Sequence, residues 1–160
     1  MTGFEIRPLT PADRGWVARF VAEQWGSEVV VAHGVRYHPA QLPGLLAVQA
    51  GERIGLITYH IAGDGCEIVT LDSLRPNLGI GTALIEAVTG AARAAGGRRL
   101  WLITTNDNLD ALRFYQRRGF ELVAVHRGAM AAARHLKPEI PLVGAHGIPI
   151  RDELELEMAV

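Results

Sequence analysis

Two stretches of the chain carry residue types at spacings that suit chemistry. In the first, Glu67-Ile68-Val69-Thr70-Leu71-Asp72-Ser73 reads as a strand that passes through Leu74-Arg75-Pro76-Asn77-Leu78 into Gly79-Ile80-Gly81-Thr82 and the start of a helix. Such a turn makes an anion site. Glycines let the backbone approach closely, and the unpaired N–H groups at the helix start, with the positive end of its dipole, suit a phosphate or pyrophosphate. A Walker A loop would need Gly-Lys-Ser/Thr, whereas Thr82 follows Gly81 directly with no lysine. A dinucleotide fingerprint would need a third glycine in the first βα unit of a parallel sheet; here the turn follows several antiparallel-looking strands. By itself the glycine pair fits a tight loop with close helix packing equally well.

The second stretch is Asn108-Leu109-Asp110-Ala111-Leu112-Arg113-Phe114-Tyr115-Gln116-Arg117-Arg118-Gly119-Phe120. Asn108 is a helix cap, Asp110 suits the positive first turn and Gly119 closes the helix. Two acids, Glu67 and Asp72, sit on the strand before the glycines. Five residues apart, they face opposite sides of a regular strand unless a bulge intervenes. Cys66 reads as a small core residue. The histidines at 33, 38, 60, 126, 135 and 146 show no His-x-x-x-His spacing, so no metal site is expected.

These residues need elements to position them. Phe4 to Leu9 reads as a strand, with Thr10, Pro11 and Asp13 starting a helix to about Trp25. Glu28 to Tyr37 is rich in valine. Leu45–Gln49 and Arg53–Ile61 form a hairpin, and Cys66–Leu71 follows the Gly63-Asp64-Gly65 turn. Ile80, Leu84, Val88, Ala91 and Ala95 recur at helical spacing, stopped by Gly96 and Gly97. Arg99–Thr104 is a buried strand. Phe120–His126 and Glu153–Met158 are the last strands, with the longest irregular stretch from about Lys137 to Arg151. The order β-α-β-β-β-α-β-α-β-β predicts a mixed α/β fold.

The first stretch resembles motif A of the GNAT superfamily, Gln/Arg-x-x-Gly-x-Gly/Ala, in its second half. The second resembles motif B, Asn-x-x-Ala-x-x-x-Tyr-x-x-x-Gly-Phe, at every named position. Pro76 departs from the Gln or Arg that opens motif A, with Arg75 one place earlier and a loop about two residues shorter than usual. The resemblance runs from about residue 4 to the C-terminus. It implies a central, mostly antiparallel twisted sheet flanked by helices, and acetyl-CoA as co-substrate. Leu78, Gly79, Ile80, Gly81 and Thr82 would hold the pyrophosphate. The backbone of Leu71, Asp72 and Ser73 would pair with the pantetheine arm, and Asn108, Ala111 and Tyr115 would line it. The activity implied is acetyl transfer to an amine of a small molecule or peptide by direct attack in a ternary complex.

Tyr115 lies about two helical turns after Asn108 and so points along the same face, toward the thioester sulfur; it is the candidate general acid. The amine must lose a proton first. Glu67 is the candidate base, because Glu67-Ile68-Val69 resembles the segment of histone-acetylating members whose glutamate serves that role; deprotonation through water is the alternative, with Asp72 in reserve. In this superfamily the region of Trp25, His33, Arg36, Tyr37 and His38 shapes the acceptor pocket. The row Glu153, Glu155, Glu157 reads as a solvated strand face or an attraction for a cationic acceptor.

With 160 residues, 49% hydrophobic and 21% charged, one globular domain spanning 1–160 is expected. A net charge of −1 with scattered arginines gives no footprint for nucleic acid or membrane. No secretory signal opens the chain, so the cytoplasm is the default compartment. A homodimer is possible on the resemblance alone. Two rival readings remain: a GNAT-like module that binds acyl-CoA without transfer, and a nucleotide-binding module built on the same glycine turn.

Overall fold

The computed structural model describes residues 3–160; Met1 and Thr2 lie outside the described residues. Strand β1 (Glu5–Pro8) leads through a 3-10 turn (Pro11–Asp13) into helix α1 (Arg14–Trp25). The turn is a capping box: the Thr10 N–H and hydroxyl donate to Asp13 Oδ2 at 2.8 and 3.0 Å. Strands β4 (Gly44–Gln49), β5 (Glu52–Ala62) and β6 (Gly65–Ser73) then form an antiparallel meander. Helix α2 (Ile80–Ala94), β7 (Arg99–Thr105), α3 (Leu109–Arg117), β8 (Glu121–His126) and β9 (Glu153–Ala159) complete the main sheet, ordered β1-β4-β5-β6-β7-β9-β8. All pairs are antiparallel except β6 with β7.

Two hydrophobic layers cover the sheet. On one face α2 packs Ile80, Leu84 and Val88 against Ile57, Ile68, Leu100 and Leu102, joined by Tyr115 and Phe120. On the other, Val17, Phe20 and Val21 of α1 pack on Leu46, Leu56 and Val69. Leu56 and Ile57 of β5 point into opposite layers, as neighbours on a strand must, and the register shift at Ile54 puts that residue in the layer of Ile57. This is the mixed α/β architecture, a mostly antiparallel sheet flanked by helices, that the motif resemblance implies.

Two local expectations are corrected. The valine-rich stretch from Glu28 to Tyr37 is a separate small hairpin, β2 (Val30–Ala32) and β3 (Val35–Tyr37), turning at His33-Gly34. Between β8 and β9 there is also a helix absent from the predicted order, α4 (Ala129–Leu136). Its N-cap, Gly128, makes no side-chain cap and its first turn holds no acid, so nothing marks its start. Packing fixes it instead, through Met130 and Ala133 against Ile150, Val31 and Ile140.

Candidate active site

The site is made by a divergence of strands. β6 and β7 pair only over Gly65–Ile68 and Arg99–Leu102; beyond that, β6 keeps only β5, and β7 keeps only β9. A cavity of about 330 Å³ opens there, lined by Ile68, Val69, Leu71 and Asp72 of β6, Leu102–Thr104 of β7, Asn108, Ala111 and Tyr115 from the α3 side, and Gln24 and Trp25 of α1. From Val69 onward one edge of β6 has no strand partner among the described residues. Its backbone groups are free to pair with an extended ligand.

Helix α3 presents Ala111 and Tyr115 to this cavity because they are one turn apart. Asn108 caps it, its side chain accepting from the Ala111 N–H at 3.1 Å. The Tyr115 ring is fixed edge-on between Phe114 and Phe120, at 5.1 and 5.3 Å between centroids. Among the described residues nothing hydrogen-bonds its hydroxyl, yet no buried side-chain polar atom lacks a partner; the hydroxyl therefore opens on the cavity. Burial, and after it the charge of Asp72, raises the phenol's pKa.

The parity of the two acids is decided by a bulge. Thr58 faces Thr70 and Tyr59 faces Ile68, so Val69 is an extra residue in β6. Glu67 and Asp72 consequently oppose His60 and Leu56, four apart on β5, and share the face toward α1. Asp72 accepts from the Trp25 indole N–H at 3.2 Å. Its burial raises its pKa, and that hydrogen bond opposes the rise.

Glu67 is buried, at 2% exposed. The Tyr37 hydroxyl donates to Oε1 at 2.5 Å, and His33 Nε2 lies 2.9 Å from both oxygens. Glu153 is also buried and accepts from the His33 backbone N–H, while Glu155 and Glu157 pair with Arg99. The acidic row is thus neither a free solvated face nor an open cationic site. Of the aromatic and basic cluster, His33 and Tyr37 meet at Glu67, while Trp25 lines the wedge beside Asp72. Arg36 turns away to the Leu136 carbonyl at 2.6 Å, and His38 caps a 3-10 turn.

A second cavity, about 230 Å³, lies at the start of α2 and is lined by Ser73, Arg75, Asn77, Gly79, Ile80, Gly81, Thr82, Phe114 and Arg118. Gly79, the N-cap of α2, holds the left-handed conformation at φ 76°, which glycine adopts without a Cβ penalty. At Gly81 a Cβ would come within 2.9 Å of the Phe114 ring, so glycine lets α2 and α3 close on each other. Leu78 lines neither cavity; its side chain packs on the α2 core and leaves only backbone for a ligand. Arg75 is tied to Glu52 at 2.6 Å. Arg118 was missed by motif reading. Its guanidinium stacks 3.6 Å from the Phe114 ring centre and donates to Thr82 Oγ1 and the Phe114 carbonyl, both at 2.9 Å. The basic pair just before Gly119 was its only sequence signal.

The lone lysine also has a place. Lys137 Nζ, buried, donates to the carbonyls of Trp25 (3.1 Å) and Val29 (2.9 Å), tying the segment after α4 to the end of α1. Desolvation lowers its pKa. Cys66 is a buried core thiol pushed up to about 11 by burial and by Glu67. Among the described residues no cluster of three His, Cys, Asp or Glu could hold a metal, and no helix is long and apolar enough to cross a membrane.

A wedge between two parallel strands, a glycine turn at a helix start and a capped helix bearing an unbonded phenol are the features that the GNAT resemblance implies. The chain belongs to the GNAT acetyltransferase family, whose model matches residues 13–120. It is 49% identical over 151 residues to YdhI, an uncharacterized protein of Bacillus subtilis strain 168, covering 93% of this chain and 94% of that one. Its fold matches an IAA acetyltransferase from Bacillus cereus ATCC 14579 (TM-score 0.70, 20% identity, covering 99% and 100% of the two chains). It also matches a GNAT family acetyltransferase from Elizabethkingia anophelis with acetyl-CoA bound (TM-score 0.69, 21% identity, covering 100% of each).

Proposed function

We propose that this chain, as a single domain, is an N-acetyltransferase that moves the acetyl group of acetyl-CoA to an amine of a small molecule or peptide by direct attack in a ternary complex. The observation that carries the reading is the wedge itself, with an unbonded, protonated phenol on one side, Asp72 in its lining, and Glu67 on the same sheet face one strand pair behind its vertex. The residues present fit the co-substrate. Backbone N–H groups of Gly79–Thr82 at the α2 start suit the pyrophosphate, Arg118 supplies the cation that Pro76 does not, and the open β6 edge at Leu71–Ser73 suits an amide-bearing arm.

In this reading the wedge fixes both reactants, which by itself supplies much of the rate. Asn108 and Ala111 border the thioester, and Tyr115 donates its proton to the departing sulfur. An amine arrives mostly as ammonium, and the buried Glu67 carboxylate serves its deprotonation. Trp25 and Asp72 border the acceptor's path.

Thermal unfolding with acetyl-CoA, CoA, ATP and NAD in parallel tests the co-substrate: a ligand at ~100 times its Kd adds about 2.7 kcal/mol. Stabilisation by the two CoA ligands alone is expected. Stabilisation by ATP or NAD instead would sink the reading. Tyr115→Phe should bind acetyl-CoA normally and lose about 10²-fold in kcat with an amine acceptor. Binding without transfer to any amine would leave the acyl-CoA sensor.

A further inference from the structure

We propose that His33 is the group that takes the proton from the acceptor amine, with Glu67 as the residue that holds its ring. The inference rests on the N-acetyltransferase reading. Glu67 is badly placed to take the proton alone: Tyr37 O–H occupies one oxygen and His33 Nε2 faces both, with the carboxylate 2% exposed. Of its two partners, Tyr37 is buried, whereas the His33 side chain is 31% exposed. His33 is the contact through which a proton can reach solvent.

The geometry also sets the tautomer. A carboxylate 2.9 Å from Nε2 keeps the proton on that nitrogen, which leaves the Nδ1 lone pair on the opposite edge of the ring as the acceptor. Glu67 thus orients the ring and stabilises the imidazolium once it forms.

The backbone at this position is a further sign. His33 (φ 42°) and Gly34 (φ 78°) form the two-residue turn between β2 and β3, with Ala32 opposite Val35. Both central residues having positive φ marks the hairpin turn that asparagine or glycine ordinarily fills. Histidine there accepts backbone strain of the kind concentrated at functional sites. The His33 N–H is pinned to both Glu153 oxygens at 3.2 Å, and the ring rests 5.1 Å from Trp101. Glu67 and Trp101 are paired one step before Ile68 and Leu102, the last pair before the strands part and both lining the cavity. The ring therefore stands at the vertex of the wedge, on the acceptor face.

The charged and titratable groups around it are Glu67 from β6, Tyr37 from β3 and Glu153 from β9, with Arg99 stacked on Trp101 and His126 bound to Glu155 beyond. In the step, an ammonium N–H bond breaks as Nδ1–H forms. The freed nitrogen lone pair bonds the thioester carbonyl carbon, the C–S bond breaks and the sulfur takes the Tyr115 proton. As the amide forms, its nitrogen loses a second proton, which restores the Tyr115 phenol, and the imidazolium releases its proton to solvent, so each turnover liberates one proton net.

The test uses the full chain, acetyl-CoA and three amine probes, spermidine, tyramine and glycinamide, with release of the CoA thiol as the signal. His33→Asn suits the turn and should fold. It is expected to keep the acetyl-CoA thermal shift, lose about 10²-fold in kcat, and lose the acid limb of the kcat/KM profile. His33→Gly should recover at least about 10-fold on adding imidazole, which Tyr115→Phe should not. A kcat within about 3-fold of wild type for His33→Asn, with its acid limb unmoved, would overturn the proposal in favour of Glu67 or water. If the wild type binds acetyl-CoA yet transfers to none of the amines, the N-acetyltransferase reading fails and this inference with it.

Discussion

Asp13 and Glu67 are both carboxylates at most 2% exposed, and they are treated in opposite ways. Asp13 lies between two permanent cations. Arg7 donates to it at 2.8 and 3.0 Å and Arg53 at 3.2 and 3.1 Å, while Thr10 closes the capping box. Those arginines, Arg7 foremost, hold its pKa well below the usual carboxylate range against the opposing effect of burial. Among the described residues Glu67 has no arginine or lysine partner. It meets an imidazole and a phenol, and burial with the Glu67 charge makes that phenol hold its proton more tightly than usual. A buried charge intended to stay put is surrounded by groups that never titrate. In the proposed reaction Glu67 instead orients an imidazole that exchanges a proton, and a partner able to give and take one suits that role.

The contrast can be broken from either side. The largest effect is expected from Glu67→Gln: a side-chain amide donating to Nε2 would force the His33 proton onto Nδ1, the wrong tautomer. Transfer should fall by about 10³-fold with the melting temperature nearly unchanged. A loss of stability without loss of turnover would make Glu67 another Asp13. Asp13→Asn should do the reverse, lowering stability by about 3 kcal/mol in denaturant titration while the folded variant keeps kcat.

The same site predicts an acid dependence. Because the folded pKa of Asp13 is depressed, its contribution is complete above the unfolded value, ~3.9, and is lost as pH falls through the folded value. Comparing wild type and Asp13→Asn by acid unfolding should show the difference between them shrinking below that point. A constant gap would mean the contribution is packing, not charge. The smallest effect belongs to Tyr37→Phe, which removes one hydrogen bond to Glu67. About 1 kcal/mol of stability and a few-fold in kcat are expected, because His33 still holds the carboxylate.

Much of the local geometry around the glycine turn and α3 was legible because it lies within single segments. The glycine turn, the Asn108 cap and the spacing to Tyr115 are written within single segments, and turn and helix geometry carry them into place. Arg118 was not legible as part of the cavity at the glycine turn, since only the packing of α3 on α2 at Gly81 swings it over Thr82. The acceptor side was harder. Alternation places Glu67 and Asp72 on opposite faces, and the Val69 bulge that unites them has no residue signature in this sequence. Helix α4 escaped for want of cap signals, and its packing alone defines it.

The sequence by itself determined the family, the order of the principal strands and helices, and the two motifs, because periodicity and capping act over a few residues. Only the tertiary structure decided which side chains surround the buried acids. Glu67 meets His33 and Tyr37 across more than thirty positions of chain, and Lys137 meets Trp25 across more than a hundred. Contacts at such separations are set by how sheets diverge and layers pack, and the local pattern of residues carries no record of that.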